Sequence, residues 1–190
     1  MLLVLASALV ALSCTAASLR RLKFAVAPTS LDPGILLARL RGDAGRKQLK
    51  RVRRAIDGTE GAEWEKELLA AASSPPEHRV ARVNEALTEL DHLLKRWSRV
   101  PRVCASVATS SAFLLASLTL RVGLTAATEV PEELRNDAIN RVVIDAINVA
   151  AIGMAGTAFC IAVQMRAQRA EKAFMELADK LVERLEAIGG

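Results

Sequence analysis

Three long apolar segments with few charged residues constrain this 190-residue chain more than any other feature. They run from Met1 to Ser18, from Val103 to Leu120 and from Val142 to Met165. A helix of about 20 apolar residues, or about 17 at the lower limit, crosses the hydrocarbon core of a bilayer. Because no water satisfies backbone groups there, such a segment must be helical or part of a closed barrel. The sequence therefore predicts an all-α integral membrane protein with three transmembrane helices.

The composition favours helices that pack closely through small residues. Hydrophobic residues make up 52% of the chain, but aromatic residues only 3%, and there is no Tyr. Gly153, Gly156 and Thr157 add small positions at three- and four-residue spacing to the third segment. Small residues at this spacing let helix backbones approach each other in lipid. We expect these three residues to form a helix-packing surface.

Positive charge is distributed unevenly along the chain. The stretch from Arg20 to Arg102 holds 18 Lys/Arg and 11 Asp/Glu, whereas Arg121 to Arg141 holds 3 Lys/Arg and 4 Asp/Glu. Basic residues flank one end of each apolar segment: Arg20, Arg21, Lys23, Arg96, Arg99, Arg102, Arg166, Arg169 and Lys172. With three spans all of these lie on one side, which the positive-inside rule assigns to the cytoplasm. The N-terminus is then outside and the C-terminus inside.

The resulting plan divides the chain into six segments. They are a first transmembrane helix (1–19), a cytoplasmic helical region (20–102), a second transmembrane helix (103–127), a short periplasmic loop (128–140), a third transmembrane helix (141–166) and a cytoplasmic C-terminal helix (167–190). A cleaved signal peptide ending at Thr15-Ala-Ala17 is the alternative for the first segment. A signal peptide normally opens with basic residues, which this segment lacks, so a retained anchor is favoured.

The cytoplasmic region has its own helical signals. A basic helix is expected from Gly34 to Arg54 with an interruption at 42–45, a short helix from Glu63 to Ala72, and an amphipathic helix from Glu77 to Trp97. The basic run 46–54 has no interleaved aromatic residues, which disfavours nucleic acid as its partner. Attraction to anionic lipid headgroups is the simpler expectation, beside a plain solvated helix face.

No motif for nucleotide binding, hydrolysis or zinc-dependent catalysis occurs in the sequence. Cys14, Cys104 and Cys160 lie in three different apolar segments without metal-ligand spacing, so small buried packing residues are expected. We therefore predict that the protein is not an enzyme and requires no metal or cofactor.

Asp145 is the main candidate for function because it lies within the third apolar segment. An ionisable residue at membrane depth is costly and commonly functional. A shallow position at the headgroup level is the alternative. Asn148 follows on the same helical face, and Ser106, Thr109 and Ser110 of the second segment are expected to face this pair and to line a polar pathway with it.

Two stretches of the chain resemble the MotA/TolQ/ExbB proton-channel family, on the TolQ/ExbB side. Glu85-Ala-Leu-Thr-Glu-Leu-Asp-His-Leu-Leu-Lys-Arg-Trp97, followed by Val100-Pro101, is similar to the family's approach to its second span. Val143-Ile-Asp-Ala-Ile-Asn-Val-Ala-Ala-Ile-Gly-Met154 is similar to the pattern around its intramembrane glutamate, with Asp145 at the acidic position and Gly153 at a glycine. The predicted topology matches as well.

The resemblance implies a bacterial inner-membrane homo-oligomer, typically a pentamer, that encloses a small single-span partner of the ExbD/TolR type. Proton flow would move this partner, and the force would pass to periplasmic or outer-membrane machinery. The sequence departs from the family where Ala150 replaces the third-span threonine and where Cys104, Val107 and Ala108 replace a glycine-rich stretch that ends in threonine. Two alternatives therefore stand beside a conducting subunit: a non-conducting scaffold of the same fold, and a peripheral helical adaptor with a cleaved signal.

Overall fold

The computed structural model describes residues 2–26, 29–40 and 45–189, and within these ranges it contains helices and no strand. The predicted all-α class is thereby confirmed for the described residues. The helices are α1 (Leu2–Val26), α2 (Pro33–Arg39), α3 (Gly45–Asp57), α4 (Glu63–Ala72), α5 (Pro76–Ser98), α6 (Val100–Thr128) and α7 (Glu132–Gly189).

Three stretches of helix are long and apolar enough to cross a membrane. They are Leu2–Phe24, Glu77–Thr128 and Glu132–Ala187, with mean hydropathies of 2.2, 1.8 and 1.9 in their most apolar windows. Each contains one of the apolar segments recognised in the sequence. The chain thus has the helices of a multi-pass membrane protein.

The junction between α5 and α6 lies at Arg99, shortly before Pro101. Proline has no backbone N–H and fixes φ, so it suits the first turn of a helix and interrupts a longer one. Pro101 lies in the first turn of α6 and is buried. The interruption between α5 and α6 therefore falls two residues before Pro101.

The helices form two compact units, and the first contains Met1–Leu22 and Arg99–Arg166. Its buried residues are mostly small, among them Ala11, Cys14, Ala105, Ala108 and Ala112. On α7 the buried positions recur at intervals of three and four residues: Ala146, Val149, Gly153, Gly156, Cys160 and Val163. This spacing places one narrow stripe of small side chains against the neighbouring helices.

The second unit contains Lys23–Ser98 and Ala167–Gly190, with a core of larger aliphatic residues. Leu40, Ile56, Leu68, Leu90 and Leu94 are almost completely buried. The Trp64 indole N–H donates a hydrogen bond to the Ala86 carbonyl (2.9 Å), which ties α4 to α5.

Most helices predicted for the second unit are present. Helix α4 has the predicted bounds; in the predicted basic helix, α2 ends before the expected interruption and α3 begins at its last residue, Gly45. The predicted interruption at 42–45 includes residues 42–44, which lie outside the described residues. On α5 the predicted apolar stripe is only partly buried, because Val80 and Leu93 are exposed while Val83, Leu90 and Leu94 are buried.

Candidate functional site

Asp145 lies on the exposed surface of the first unit, inside the apolar part of α7. The next residue, Ala146, belongs to the buried stripe, so Asp145 flanks the packed face of the helix. Within the described residues, its carboxylate has neither an ion pair nor a hydrogen bond. Asn148 is exposed as well, one turn further along α7. In a membrane this pair would meet lipid, a second subunit or another protein.

The register between α6 and α7 is set by close contacts of small residues. A Cβ atom built on Gly153 would lie 1.9 Å from the Cβ of Ala112, so only glycine fits there. Near the other end of the same interface, a Cβ on Gly123 would lie 2.4 Å from a methyl carbon of Val142. The step from Gly123 to Ala112 is eleven residues (123 − 112), and so is the step from Val142 to Gly153 (153 − 142). The two helices are therefore antiparallel with a constant register.

A hydroxyl pair joins α6 to α7 in the same register. The Oγ1 atoms of Thr109 and Thr157 are 2.9 Å apart. Each hydroxyl also lies 2.9 Å from a carbonyl of its own helix, Ala105 for Thr109 and Gly153 for Thr157. Because each hydroxyl has one hydrogen, one can donate across the interface while the other donates to its own helix.

Within one chain, Ser106, Thr109 and Ser110 do not lie level with Asp145 and Asn148. The register places Thr109 level with Thr157, which is twelve residues from Asp145 (157 − 145). At a rise of 1.5 Å per residue, the two levels are about 18 Å apart along the helix axis. Ser106 and Ser110 are exposed on α6 near the level of Thr109. The predicted polar residues thus form two groups at different depths.

Gly153 and Gly156 contact two different helices. Gly153 lies against Ala112 of α6, whereas a Cβ on Gly156 would lie 2.9 Å from the Cβ of Ala11 on α1. The Ser7 hydroxyl of α1 donates to the Val149 carbonyl (3.1 Å) beside this contact. Gly156 lies eleven residues after Asp145 (156 − 145), about three turns along the same side of α7, yet Gly156 is buried and Asp145 is exposed. A stripe that repeats every seven residues drifts by about 20° per repeat around a helix, which brings this side of α7 into the packed interface further along the helix.

The three cysteines converge in the first unit, which their positions in the sequence did not indicate. Cys14 and Cys160 are buried in one cluster with Ala105 and Ala108, and Cys104 packs against it. The Ser18 hydroxyl donates to the Cys160 sulfur at 3.4 Å. Across the described ranges, no group of three or more His, Cys, Asp or Glu side chains is arranged to hold a metal ion. The cysteines therefore act as small packing residues where three helices meet.

A cavity of about 490 Å³ lies in the first unit near the ends of α6 and α7 that meet at Pro131. Its lining is mostly apolar, and its charged members are Asp137 and Arg141. Arg141 precedes Asp145 by one helical turn but does not form an ion pair with it. The Arg141 side chain borders this cavity instead.

One further charged residue lies at the level of Asp145. Arg121 of α6 is two residues from Gly123, and Asp145 is three residues from Val142, so the Gly123–Val142 contact brings both charges to about the same depth. Arg121 is exposed and has no acidic partner in the part of the chain that the structure describes. The sequence alone does not single out Arg121, because only the register of α6 against α7 relates it to Asp145.

In comparisons with known proteins, no family model, no curated protein and no solved structure matches this chain.

Proposed function

We propose that this chain is a subunit of a proton-motive-force-driven energy transducer of the bacterial inner membrane, similar to the TolQ/ExbB side of the MotA/TolQ/ExbB family. The observation that carries the proposal is Asp145, an acid that has no partner among the described residues and is exposed on a helix of membrane-spanning length. Such a group is costly in lipid and is retained mainly where an ion path or a partner uses it.

The polar residues support a path in which protons pass them in series. Asp145 and Asn148 would serve the periplasmic end, and Thr109, Ser110 and Ser106 would line the path about 18 Å further along the axis. Moving one elementary charge through the membrane potential provides about 2.3 kcal/mol per 100 mV. This free energy would drive the motion of a small single-span partner of the ExbD/TolR type.

The proposal includes an assembly and an orientation. The chain forms a homo-oligomer, a pentamer by resemblance, with its N-terminus in the periplasm, its C-terminus in the cytoplasm and residues 20–102 as a cytoplasmic helical region. The partners are the copies of this chain, the single-span protein and membrane lipids, and nucleic acid is not among them. The orientation is supported by the basic residues that flank each apolar segment at one end.

Proton flux through the reconstituted assembly tests the proposal. We expect Asp145→Asn to abolish potential-driven acidification of vesicles that contain the chain and its single-span partner. The matched control is Asp137→Asn, which removes an exposed acid of the same helix outside the polar path. Flux that Asp145→Asn leaves unchanged over a range of membrane potentials contradicts the proposal.

A non-conducting scaffold of the same fold is the second candidate, and the hydroxyl pair favours it. One of the Thr109 and Thr157 hydroxyls donates to the other, which donates to a carbonyl of its own helix, so both hydroxyls are already engaged in helix packing. Ala150 also lacks the hydroxyl that the family has at its position. A scaffold assembles with its partners but gives no proton flux, and Asp145-dependent flux would exclude it.

A further inference from the structure

Two opposite charges in the first unit have no ion-pair partner among the residues that the structure describes. Asp145 of α7 and Arg121 of α6 are both exposed. The ion pair found among the described residues joins Lys95 to Asp91, in the second unit. Both charges lie within the predicted spans, where an unpaired charge is costly. Each therefore needs water, a lipid headgroup or an opposite charge.

The two charges lie at similar depths but on surfaces that do not meet. Gly123 faces α7 through its contact with Val142. Residues follow each other at about 100° around a helix, so Arg121, two residues away, is turned by about 200° from that contact. Arg121 thus points away from α7, which carries Asp145. The chain cannot bring the two side chains together while Gly123 packs against Val142.

The nearest alternative partner for Asp145 is Arg141, one turn earlier on α7. Arg141 borders the cavity beside Asp137, and it forms no ion pair with Asp145. Arg141 also lies closer to the start of α7 at Glu132, where a long side chain can reach headgroups and water. Arg121 is the remaining cation level with Asp145 in the described part of the first unit.

We propose that Asp145 pairs with Arg121 of a second copy of this chain. The two surfaces differ, so the contact is heterologous: α6 of one copy lies against α7 of the next. Repetition of such a contact gives a closed ring when the rotation between copies permits. The exposed apolar side chains Leu114 and Leu118 lie seven and three residues before Arg121, on the same face of α6, and would be covered by this contact. Each copy contributes one half of every ion pair.

The inference deepens the homo-oligomer of the proposed function, and it requires a membrane location but no proton flux. A non-conducting scaffold would satisfy it equally well. The tests below measure assembly alone, so their failure is distinguishable from a failure of conduction. They use the full chain in native membranes or in detergent.

Cross-linking between differently tagged copies tests proximity. One copy carries Leu118→Cys and the other Asn148→Cys, each one turn from its charge, so that Arg121 and Asp145 are kept; in both copies Cys14, Cys104 and Cys160 are changed to Ala. We expect a short thiol cross-linker to give a dimer that carries both tags. The control replaces Asn148→Cys with Ile161→Cys, which is exposed but thirteen residues further along α7 (161 − 148), or about 20 Å. Absence of the mixed dimer, or an equal yield at residue 161, overturns the proposal.

Charge exchange tests the ion pair without removing any cysteine. Breaking a buried ion pair is strongly destabilising, so we expect Arg121→Asp alone to weaken self-association on the order of 100-fold. Arg121→Asp combined with Asp145→Arg should restore it, whereas Arg141→Gln should leave the oligomer mass in detergent unchanged. If the double variant is as weakly associated as the single variant, or if Arg141→Gln dissociates the oligomer as well, a different contact holds the copies together.

Discussion

Glu65 is the buried acid of the second unit, with 2% of its surface exposed. One carboxylate oxygen accepts a hydrogen bond from the Leu31 backbone N–H at 2.8 Å, while the other has no partner. The side chain therefore holds the segment before α2 against α4 through a single acceptor. Its importance for stability should depend on that acceptor more than on its charge.

Replacing Glu65 with Met should destabilise the second unit more than replacing it with Gln. Gln keeps an acceptor for the Leu31 N–H, whereas Met leaves this donor unsatisfied at a cost of about 1–3 kcal/mol. Hydrogen exchange at the Leu31 amide should accelerate in Glu65→Met. The control Glu67→Met changes an exposed acid of the same helix and should leave exchange unchanged. Equal exchange in the Met and Gln variants would show that the acceptor contributes nothing.

Among the glycines that the structure describes, Gly153 has the least room for a side chain. In Gly153→Ala the new methyl group would overlap Ala112, and such overpacking costs about 1–3 kcal/mol. This exceeds the helix propensity of about 1 kcal/mol that Ala gains over Gly. We expect lower thermal stability in detergent for Gly153→Ala and recovery when Ala112→Gly is added. If the double variant is no more stable than Gly153→Ala, the loss arises elsewhere.

At the scale of the helix, α3 separates an apolar face from a basic one. Val52 and Ile56 are buried in the core of the second unit, while Lys50, Arg51, Arg53 and Arg54 are exposed. None of these four cations has an acidic partner among the described residues. Because the apolar face is already covered, α3 can attract anionic lipid only through charge.

Attraction of α3 to anionic lipid should therefore depend on salt. A fluorophore on Ala55→Cys should transfer energy to headgroup-labelled lipid more efficiently in bilayers with anionic lipid than in neutral ones. Since the screening length falls from about 10 Å at 0.1 M salt to about 3 Å at 1 M, this difference should vanish at high salt.

In the variant that combines Lys50→Gln, Arg51→Gln and Arg54→Gln, energy transfer should be the same in anionic and neutral bilayers, even at low salt. The matched control neutralises three exposed lysines elsewhere in the second unit, Lys66, Lys172 and Lys180. It should still show more energy transfer in anionic than in neutral bilayers at low salt. Equal transfer in neutral and anionic bilayers would mean that α3 is merely a solvated face.

The sequence predicts individual helices better than the relation between them. Apolar periodicity and the Ser73-to-Pro76 break are local signals, and they place α4 over its observed range. The axial offset of α6 against α7 depends instead on which small residues meet, Ala112 with Gly153 and Gly123 with Val142. Periodicity defines a face of each helix but leaves this offset open. For that reason the Thr109–Thr157 pair and the common depth of Arg121 and Asp145 emerge only from the structure.

At the scale of the whole molecule, the proposed topology has all three helices of spanning length cross the membrane, and an odd number of crossings places the start of α1 and the end of α7 on opposite sides. Basic residues follow the apolar parts of α1 and α7 and precede the apolar part of α6. With these crossings, all of them mark one side of the membrane. The orientation matters for function, because it decides whether Asp145 lies nearer the periplasmic or the cytoplasmic side of the membrane.

Single cysteines should report this orientation when the three native cysteines are changed to Ala. Glu129→Cys lies between α6 and α7, and Glu60→Cys lies between α3 and α4, both exposed. A membrane-impermeant maleimide should label residue 129 from the periplasmic side of intact inner membranes and residue 60 only in inverted vesicles, because Lys/Arg-rich segments stay in the cytoplasm. Denatured samples should label equally at both positions, which controls for reactivity. The reverse pattern would place Asp145 at the cytoplasmic end of its helix and reverse the proposed direction of proton entry, and labelling of both residues from both sides would exclude a membrane-spanning chain.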